Sequence, residues 1–482
     1  MNELIKKINN VSKGYDAYTS GGFARDLLLG RKHKDIDLIV ERDALNYAKK
    51  VAAAFKAKLI TLDENTETYR IILKDCRVPN IDISLFNGKT IEEDLQNRDF
   101  TINAIAFNIK YFKDFKKHII FPNKNTVTDL KTKTFNVVST KAFKADPLRM
   151  LRAFRFVAEF KGFKLSRKTL TQIKQNAKFI KYVAPERIKN EFFRILTSKN
   201  SSELIGIMDR CGLLCEILPE IKVMKKAKKK YYYHSGGLFQ HSFETLQSAE
   251  NILNNLKKYF SENFIEMQAH FNSGESFCEN VTREALLKFV ALFHDNAKPE
   301  TATFENGKMH FFEHEEIGAN KLKEIMLSLK FGKKDIETAT FLVKHHMRLS
   351  TLTRNNLVTK KAAMKFFRDI GEASLDLIVL SMADWHSYKS LKIFSQKELK
   401  LQEKSAKELI KKYYELKNAK PLPKIIDGDI IMKKFKLPPG PWIGEFLKIV
   451  NKAQFEGEIS NKNDSLKLVL SKLTHIKKKY KM

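Results

Sequence analysis

Two aspartates one residue apart, Asp35 and Asp37 in the stretch DIDLIV, carry the most informative chemistry in this 482-residue chain. Alternate side chains of an extended strand share a face, so both carboxylates point one way while Ile36, Leu38 and Val40 pack on the other. Such a pair repels itself unless a cation lies between its members, and hard, oxygen-seeking Mg²⁺ is the natural partner. Two ions held this way suit in-line phosphoryl transfer, one activating the attacking hydroxyl and one carrying a triphosphate. Just upstream, Gly21 and Gly22 let the backbone approach phosphate oxygens, and Arg25 adds charge. Downstream, Asp82 in NIDISLF alternates with Ile81 and Ile83 and is a candidate third carboxylate. RDFTINAIAFN supplies Arg98, Asp99 and Asn103 at the head of an expected apolar helix, with Asp99 or Thr101 as its candidate N-cap.

In DPLRMLRAFRF, Asp146 before Pro147 has the form of a helix start. Arg149, three residues on, is its neighbour on the helix surface, so the two can offer an acceptor and a donor fork to a base edge. Arg152 and Arg155 continue in steps of three, each turning about 60° around the axis. They cannot all meet one base, and are expected at triphosphate, RNA backbone or internal partners.

A second constellation lies further along, where nine of the 12 histidines fall between 234 and 386. It comprises His241, the adjacent His294 and Asp295 followed by Lys298, then Asp384, with His314 and the pair His345, His346 as further ligands. Imidazole with carboxylate suits Mn²⁺, Fe²⁺, Co²⁺ or Ni²⁺, and a metal-bound hydroxide could hydrolyse phosphate esters.

The elements that must position these residues divide the chain. Up to about residue 130, short β-type runs (DLIV, KLITL, YRIIL, NIDISLF, HIIF) alternate with helical segments; beyond about 140 the apolar spacing is helical. The fold class is therefore α+β. We expect a mixed unit at 1–135, a helical unit at 136–225, a histidine-rich helical unit at 231–395 and a last helical unit at 396–482. The basic stretch KVMKKAKKKYYYHSGG, with its run Lys226 to Lys230, reads as a boundary, and PLPKIIDGD as another. The net charge of +32 favours a polyanionic partner, above all nucleic acid. Four scattered cysteines, Cys76, Cys211, Cys215 and Cys278, fit a reducing cytosol. No apolar run approaches the roughly 20 residues of a membrane span, so a cytoplasmic protein is expected.

GGFARDLLLG, DID, RDFTINAIAFN and DPLRMLRAFRF, in this order, resemble the bacterial class II tRNA nucleotidyltransferase and poly(A) polymerase family. The resemblance implies a polymerase-β-like nucleotidyltransferase head at 1–135, a helical neck and RNA-binding body at 136–225, a metal-binding helical domain at 231–395 and a tRNA-binding helical tail at 396–482. It makes Asp35 and Asp37 the Mg²⁺ ligands, sets Gly22 and Arg25 at the nucleotide phosphates, and puts Arg98 near ribose and phosphate. Asp146 with Arg149 becomes the protein template for the base, and Arg152 and Arg155 complete the pocket. ERIKNEFFRIL is similar to a neck helix, and PPGPWIGEFLKIVNKAQFEGEIS to the tail, where Trp442 is an expected core residue. The order His, His-Asp, Asp resembles the HD phosphohydrolase superfamily and the HD-bearing subgroup of the first family, although Asn296 and Ala297 stand where Ile-Gly is common. The implied activity is addition of CMP and AMP, or AMP alone, to the 3′ end of tRNA. Poly(A) synthesis on other RNA ends and phosphohydrolysis at the HD site are the alternatives. Ala145 replaces a Glu common before the neck Asp, and the segment from Val40 to Arg98 is short. Together with a likeness to the A-adding subgroup around TYRIIL, these point to ATP over CTP. No oligomeric state follows from the sequence.

Overall fold

The structure, a computed structural model of the chain, describes residues 2–32, 35–64, 66–74, 80–227, 234–273, 277, 280–353, 358–388, 395–418 and 423–480. They form two compact units, Met1–Pro219 and Glu220–Met482.

The first unit is built on a six-stranded sheet. Its strands are β1 (Ala17–Ser20), β2 (Asp35–Val40), β3 (Lys58–Asp63), β4 (Thr68–Ile72), β5 (Asn80–Leu85) and β6 (Ala106–Asn108), in the spatial order β3-β4-β5-β2-β1-β6. All neighbours are antiparallel except β2 and β5, whose parallel register sets Asp35 opposite Asn80 and Asp37 opposite Asp82. The alternation is faithful: Ile36, Leu38, Ile81 and Ile83 are no more than 1% exposed, in one core with Tyr47 and Val51 of the helix Ala44–Phe55. Their packing fixes which face the aspartates take, since a one-residue slip would drive them into that core.

Two expected elements are corrected. RDFTINAIAFN is not the head of a helix: Thr101–Asn103 is a single 3₁₀ turn, and Ala106–Asn108 pairs with β1 as strand β6. Every residue from 100 to 108 is buried, and a short apolar run enclosed on all sides has no periodicity to tell strand from helix. Neither Asp99 nor Thr101 caps a helix; the Thr101 hydroxyl instead donates to Asp129. HIIF contributes only an isolated bridge between Ile120 and Ala106.

After the sheet come mainly helices. Arg149–Glu159 starts two residues beyond Pro147, with the Asp146 carboxylate accepting the backbone N–H of Leu148, and it packs against Pro185–Leu196. In the second unit the helix Arg283–Phe293 is buried at every position from 285 to 293, between Leu238–Asn254, Lys333–His345 and Ser374–Ser387. A hairpin of strands Ala302–Glu305 and Lys308–Phe311 interrupts the helices. Its turn residues Asn306 and Gly307 both have positive φ, the two-residue turn that Asn-Gly favours. Further on, Ile426, Ile431, Phe446 and Val469 centre an apolar core of their own; Trp442 lies partly buried at its margin, its indole N–H donating to the Pro438 carbonyl. Lys228 to Lys230, Cys76 and Cys278 lie outside the described residues. Among the described residues no helix is long and apolar enough to cross a membrane.

Candidate active site and metal centre

A cleft of about 380 Å³ opens on the carboxylate face of the sheet, lined among others by Gly21, Gly22, Arg25, Asp37, Asp82, Arg98, Asp99, Asn103 and Arg152. Burial, then the charges of Asp82 and Asp35, push the Asp37 carboxyl up to about 6, against the pull of Arg98 and Arg25. A carboxylate raised by two like neighbours is a donor set short of positive charge, the condition a divalent cation relieves. Asp82 is held by a two-pronged bond from Arg70, at 2.8 and 2.7 Å. Asp35 accepts from the Asn80 amide at 2.9 Å. The glycine pair is set by close approach: Gly21 has φ +65°, and a Cβ there would stand 3.0 Å from Arg98 Nη1.

The basic residues are tied in place. Arg25 donates to Asn103 at 2.5 Å and to Asp26 at 2.9 Å. Arg152 reaches Asp99 Oδ2 at 2.7 Å through Nη2 and 3.0 Å through Nε. Burial by itself would raise Asp99, yet Arg152, Asn103 and the Phe100 N–H hold it below the ordinary carboxylate range. Asp99 therefore positions Arg152 and Asn103. Arg149 donates to the backbone carbonyls of Asn97 (2.7 Å) and Arg98 (3.2 Å), and Asp146 lies 3.7 Å from Arg187. Arg155 takes the internal partners that were one of its expected placements, and the role of completing the pocket is corrected: 7% exposed, it pairs with Glu191 at 2.7 Å and Glu159 at 3.3 Å. Three-residue steps around the helix had turned it away from Arg149.

One residue of the cleft's support went unread. Asp94, 3% exposed, accepts Arg98 Nε at 2.8 Å and the Asn87 N–H at 2.9 Å, while Arg98 Nη2 donates to Ser20. The i, i+4 spacing in IEEDLQNRD was the available signal. Asp94→Ala is expected to raise the KM for nucleoside triphosphate about tenfold with a smaller change in kcat, because a charge-assisted hydrogen bond of ~1.5 kcal/mol no longer aims the guanidinium. Steady-state kinetics over a triphosphate series checks it; an unchanged KM would leave Asp94 only a structural role.

In the second unit the histidines converge. His241, His294 and Asp384 form one group whose ligand atoms lie within 4.8 Å of one another, and Asp295, His314 and His346 a second. Asp295 links the two: its Oδ2 lies 3.3 Å from Nε2 of His241 and of His294, its Oδ1 3.7 Å from His314 and 3.4 Å from His346. Each imidazole is oriented from behind. Nδ1 of His294, His314 and His346 donates to the carbonyl three residues earlier, at 2.9, 2.6 and 2.7 Å. Ser387 gives its hydroxyl proton to the Asp384 carbonyl, so His241 Nδ1 donates to Ser387. Every Nε2 is left facing the cluster, ready for a proton or a metal. Burial opposes charge on His294, but Asp295 and Asp384 carry its pKa up to about 10. His345 is corrected: successive helical residues diverge by about 100°, and its ring lies against Phe341, 4.4 Å between centroids, while His346 enters the cluster.

Residues 17–135 match the poly A polymerase head domain, 162–225 the RNA- and SrmB-binding site of polymerase A, and 314–470 tRNA nucleotidyltransferase domain 2. Over most of its length the chain is thus similar to the tRNA nucleotidyltransferase and poly(A) polymerase family. It is 28% identical to a CC-adding tRNA nucleotidyltransferase of Thermus thermophilus over 94% of this chain and 93% of that one. It is 27% identical to an A-adding tRNA nucleotidyltransferase of Deinococcus radiodurans over 92% and 93%. The Thermotoga maritima CCA-adding enzyme, solved in complex with tRNA, shares the fold with a TM-score of 0.64 at 22% identity, covering 98% of this chain and 95% of that one. The family's polymerase-β-like head is thus the sheet-bearing part of the first unit, and the expected α+β class holds. The His/Asp cluster spans residues before and within the 314–470 match.

Proposed function

We propose that this chain adds nucleotides from nucleoside triphosphates to the 3′ end of tRNA. The observation that carries this reading is the set of Asp35, Asp37 and Asp82 on one sheet face, with Asp37 and Asp82 lining a single cleft together with Gly21, Gly22 and Arg98. Mg²⁺ held by Asp35 and Asp37, the cation their mutual repulsion calls for, would supply Lewis acidity and neutralise phosphate charge. The backbone at Gly21 and Gly22, with Arg25, Arg98 and Arg152, binds the triphosphate. Asp146 and Arg149 read the base, which requires Arg149 to release the carbonyls of Asn97 and Arg98. The relatives named as tRNA nucleotidyltransferases support tRNA as acceptor and do not favour poly(A) synthesis. The charge of +32 suits that polyanion, and a tRNA-extending role goes with cytoplasmic residence. The four-part division at 135, 225 and 395 remains our assignment; the head match at 17–135 supports its first boundary, while the match at 314–470 runs across its last.

The His/Asp cluster, in our reading, binds a transition metal and resembles an HD site. Four oriented imidazoles and two carboxylates are the donor set that supports it.

We also expect ATP to be preferred over CTP, from Ala145 and the short segment between Val40 and Arg98. That segment is occupied by the helices Ala44–Phe55 and Ile91–Gln96 and by β3, β4 and β5, with 65 and 75–79 outside the described residues. A template without spare loop length to reshape it matches one base. Single-turnover incorporation on tRNA ending before CC, after C and after CC decides the matter. Expected is efficient AMP addition after CC and slow CMP addition elsewhere; efficient CTP use on the bare discriminator end overturns the preference.

A further inference from the structure

The hairpin at 302–311 runs directly into His314. Its register puts Ala302 with Phe311 and Phe304 with Met309 on one face, and Thr303 with His310 and Glu305 with Lys308 on the other. The inner end of the first face is fixed to the metal centre. The Phe311 carbonyl accepts from His314 Nδ1, and Lys298 Nζ stands 5.4 Å from the Phe311 ring centre and 2.7 Å from Asp295. One pleat repeat, about 7 Å, further out on that face is Phe304, 70% exposed. Lys298 and Phe304 thus mark the two ends of that face, one toward the cluster and one toward solvent.

Nothing in the hairpin's own stability calls for that ring to face water. A two-stranded hairpin is marginal by itself, and the pairing of Phe304 with Met309 adds at most about 1 kcal/mol to it. The apolar strip is one cross-strand pair wide, flanked by Thr303, Glu305 and Lys308. A stable protein partner needs about 800 Å² on each side, far more than this strip offers. A single planar base fits it.

We propose that Phe304, backed by Met309, stacks the base of a mononucleotide whose phosphate lies at the His/Asp cluster beside Lys298. This rests on the cluster's being a metal site. The hairpin then selects nucleosides over other phosphate esters, and the cluster takes the phosphate of whatever the hairpin holds.

Binding of AMP and of ribose 5-phosphate to metal-loaded full-length protein tests it, with metal content measured in parallel. The share of AMP binding lost in the His294→Ala/Asp295→Ala variant belongs to this unit and not to the head cleft. Within that share, Phe304→Ala is expected to weaken AMP about tenfold, the scale of one base–aromatic stack. Phe304→Tyr keeps the ring and the affinity. Phe312→Ala, whose ring stacks on His310 of the other face, changes nothing, and ribose 5-phosphate binds all three alike. Wild-type affinity for AMP in Phe304→Ala, no AMP binding sensitive to the double substitution, or AMP no tighter than ribose 5-phosphate overturns the platform while the metal reading stands. Wild-type protein without bound transition metal overturns both.

Discussion

Asp37→Asn is expected to make the ligand-free protein more stable while lowering nucleotide addition by roughly a thousandfold or more. The loss follows from removing a ligand charge where a metal ion contributes several kcal/mol to the transition state, each 1.36 kcal/mol being tenfold in rate. The gain in stability follows from the same charge. Asp37 is pushed up to about 6 in the folded protein by burial and by Asp82 and Asp35, against about 4 in an unfolded chain. A carboxyl raised in this way contributes stability that is fully present below pH ~4 and is lost as the pH rises through about 6. At neutral pH its ionisation costs at most about 3 kcal/mol, less what solvent screens at the cleft mouth. Asparagine removes that cost and keeps the shape. Thermal unfolding of both proteins between pH 4 and 8 should show the variant ahead at pH 7.5 and level at pH 4. Near-normal incorporation, or no stabilisation at pH 7.5, would remove Asp37 from the metal site.

The second large effect is expected at His294 and Asp295. Replacing both by alanine takes away an imidazole of one ligand group and the carboxylate of the other, so stoichiometric transition metal should fall to none, together with any phosphatase or cyclic phosphodiesterase activity. Nucleotide addition is expected to persist, because the cleft is built wholly from residues of Met1–Pro219 and the cluster wholly from residues of Glu220–Met482. Elemental analysis and addition assays on the same preparations check the two halves. Wild-type protein with no stoichiometric ion would end the metal assignment. Loss of addition in the variant would instead show that the two sites are coupled. Acid should release the metal from the wild type, since protons compete for the same Nε2 atoms.

Some of this was legible in one dimension. Period-two alternation in DIDLIV and NIDISLF put Asp35, Asp37 and Asp82 on polar faces, and the folded strands keep those faces because the isoleucines and Leu38 are buried behind them. The adjacent His294 and Asp295, with His241 and Asp384 far away along the chain, named most of one ligand group by residue type. The Asn-Gly at 306 and 307 also marked its hairpin, a local signal that went unread in a stretch otherwise helical. A tract such as AIAF, by contrast, carries no period, and only its pairing with β1 makes it a strand.

What a strand faces and which residue types could bind metal or phosphate were determined by the sequence alone, because alternation and donor type are properties of neighbours along the chain. Which strand lies beside β2, and so whether Asp82 stands level with Asp37, was decided only by the tertiary structure. The same is true of Arg155 turned to Glu191, and of His346 rather than His345 at the cluster. Each is a choice between partners tens to hundreds of residues apart or between side chains a fraction of a helical turn apart. Those choices are made by packing, which excludes water from one arrangement and leaves the others without partners for their buried charges.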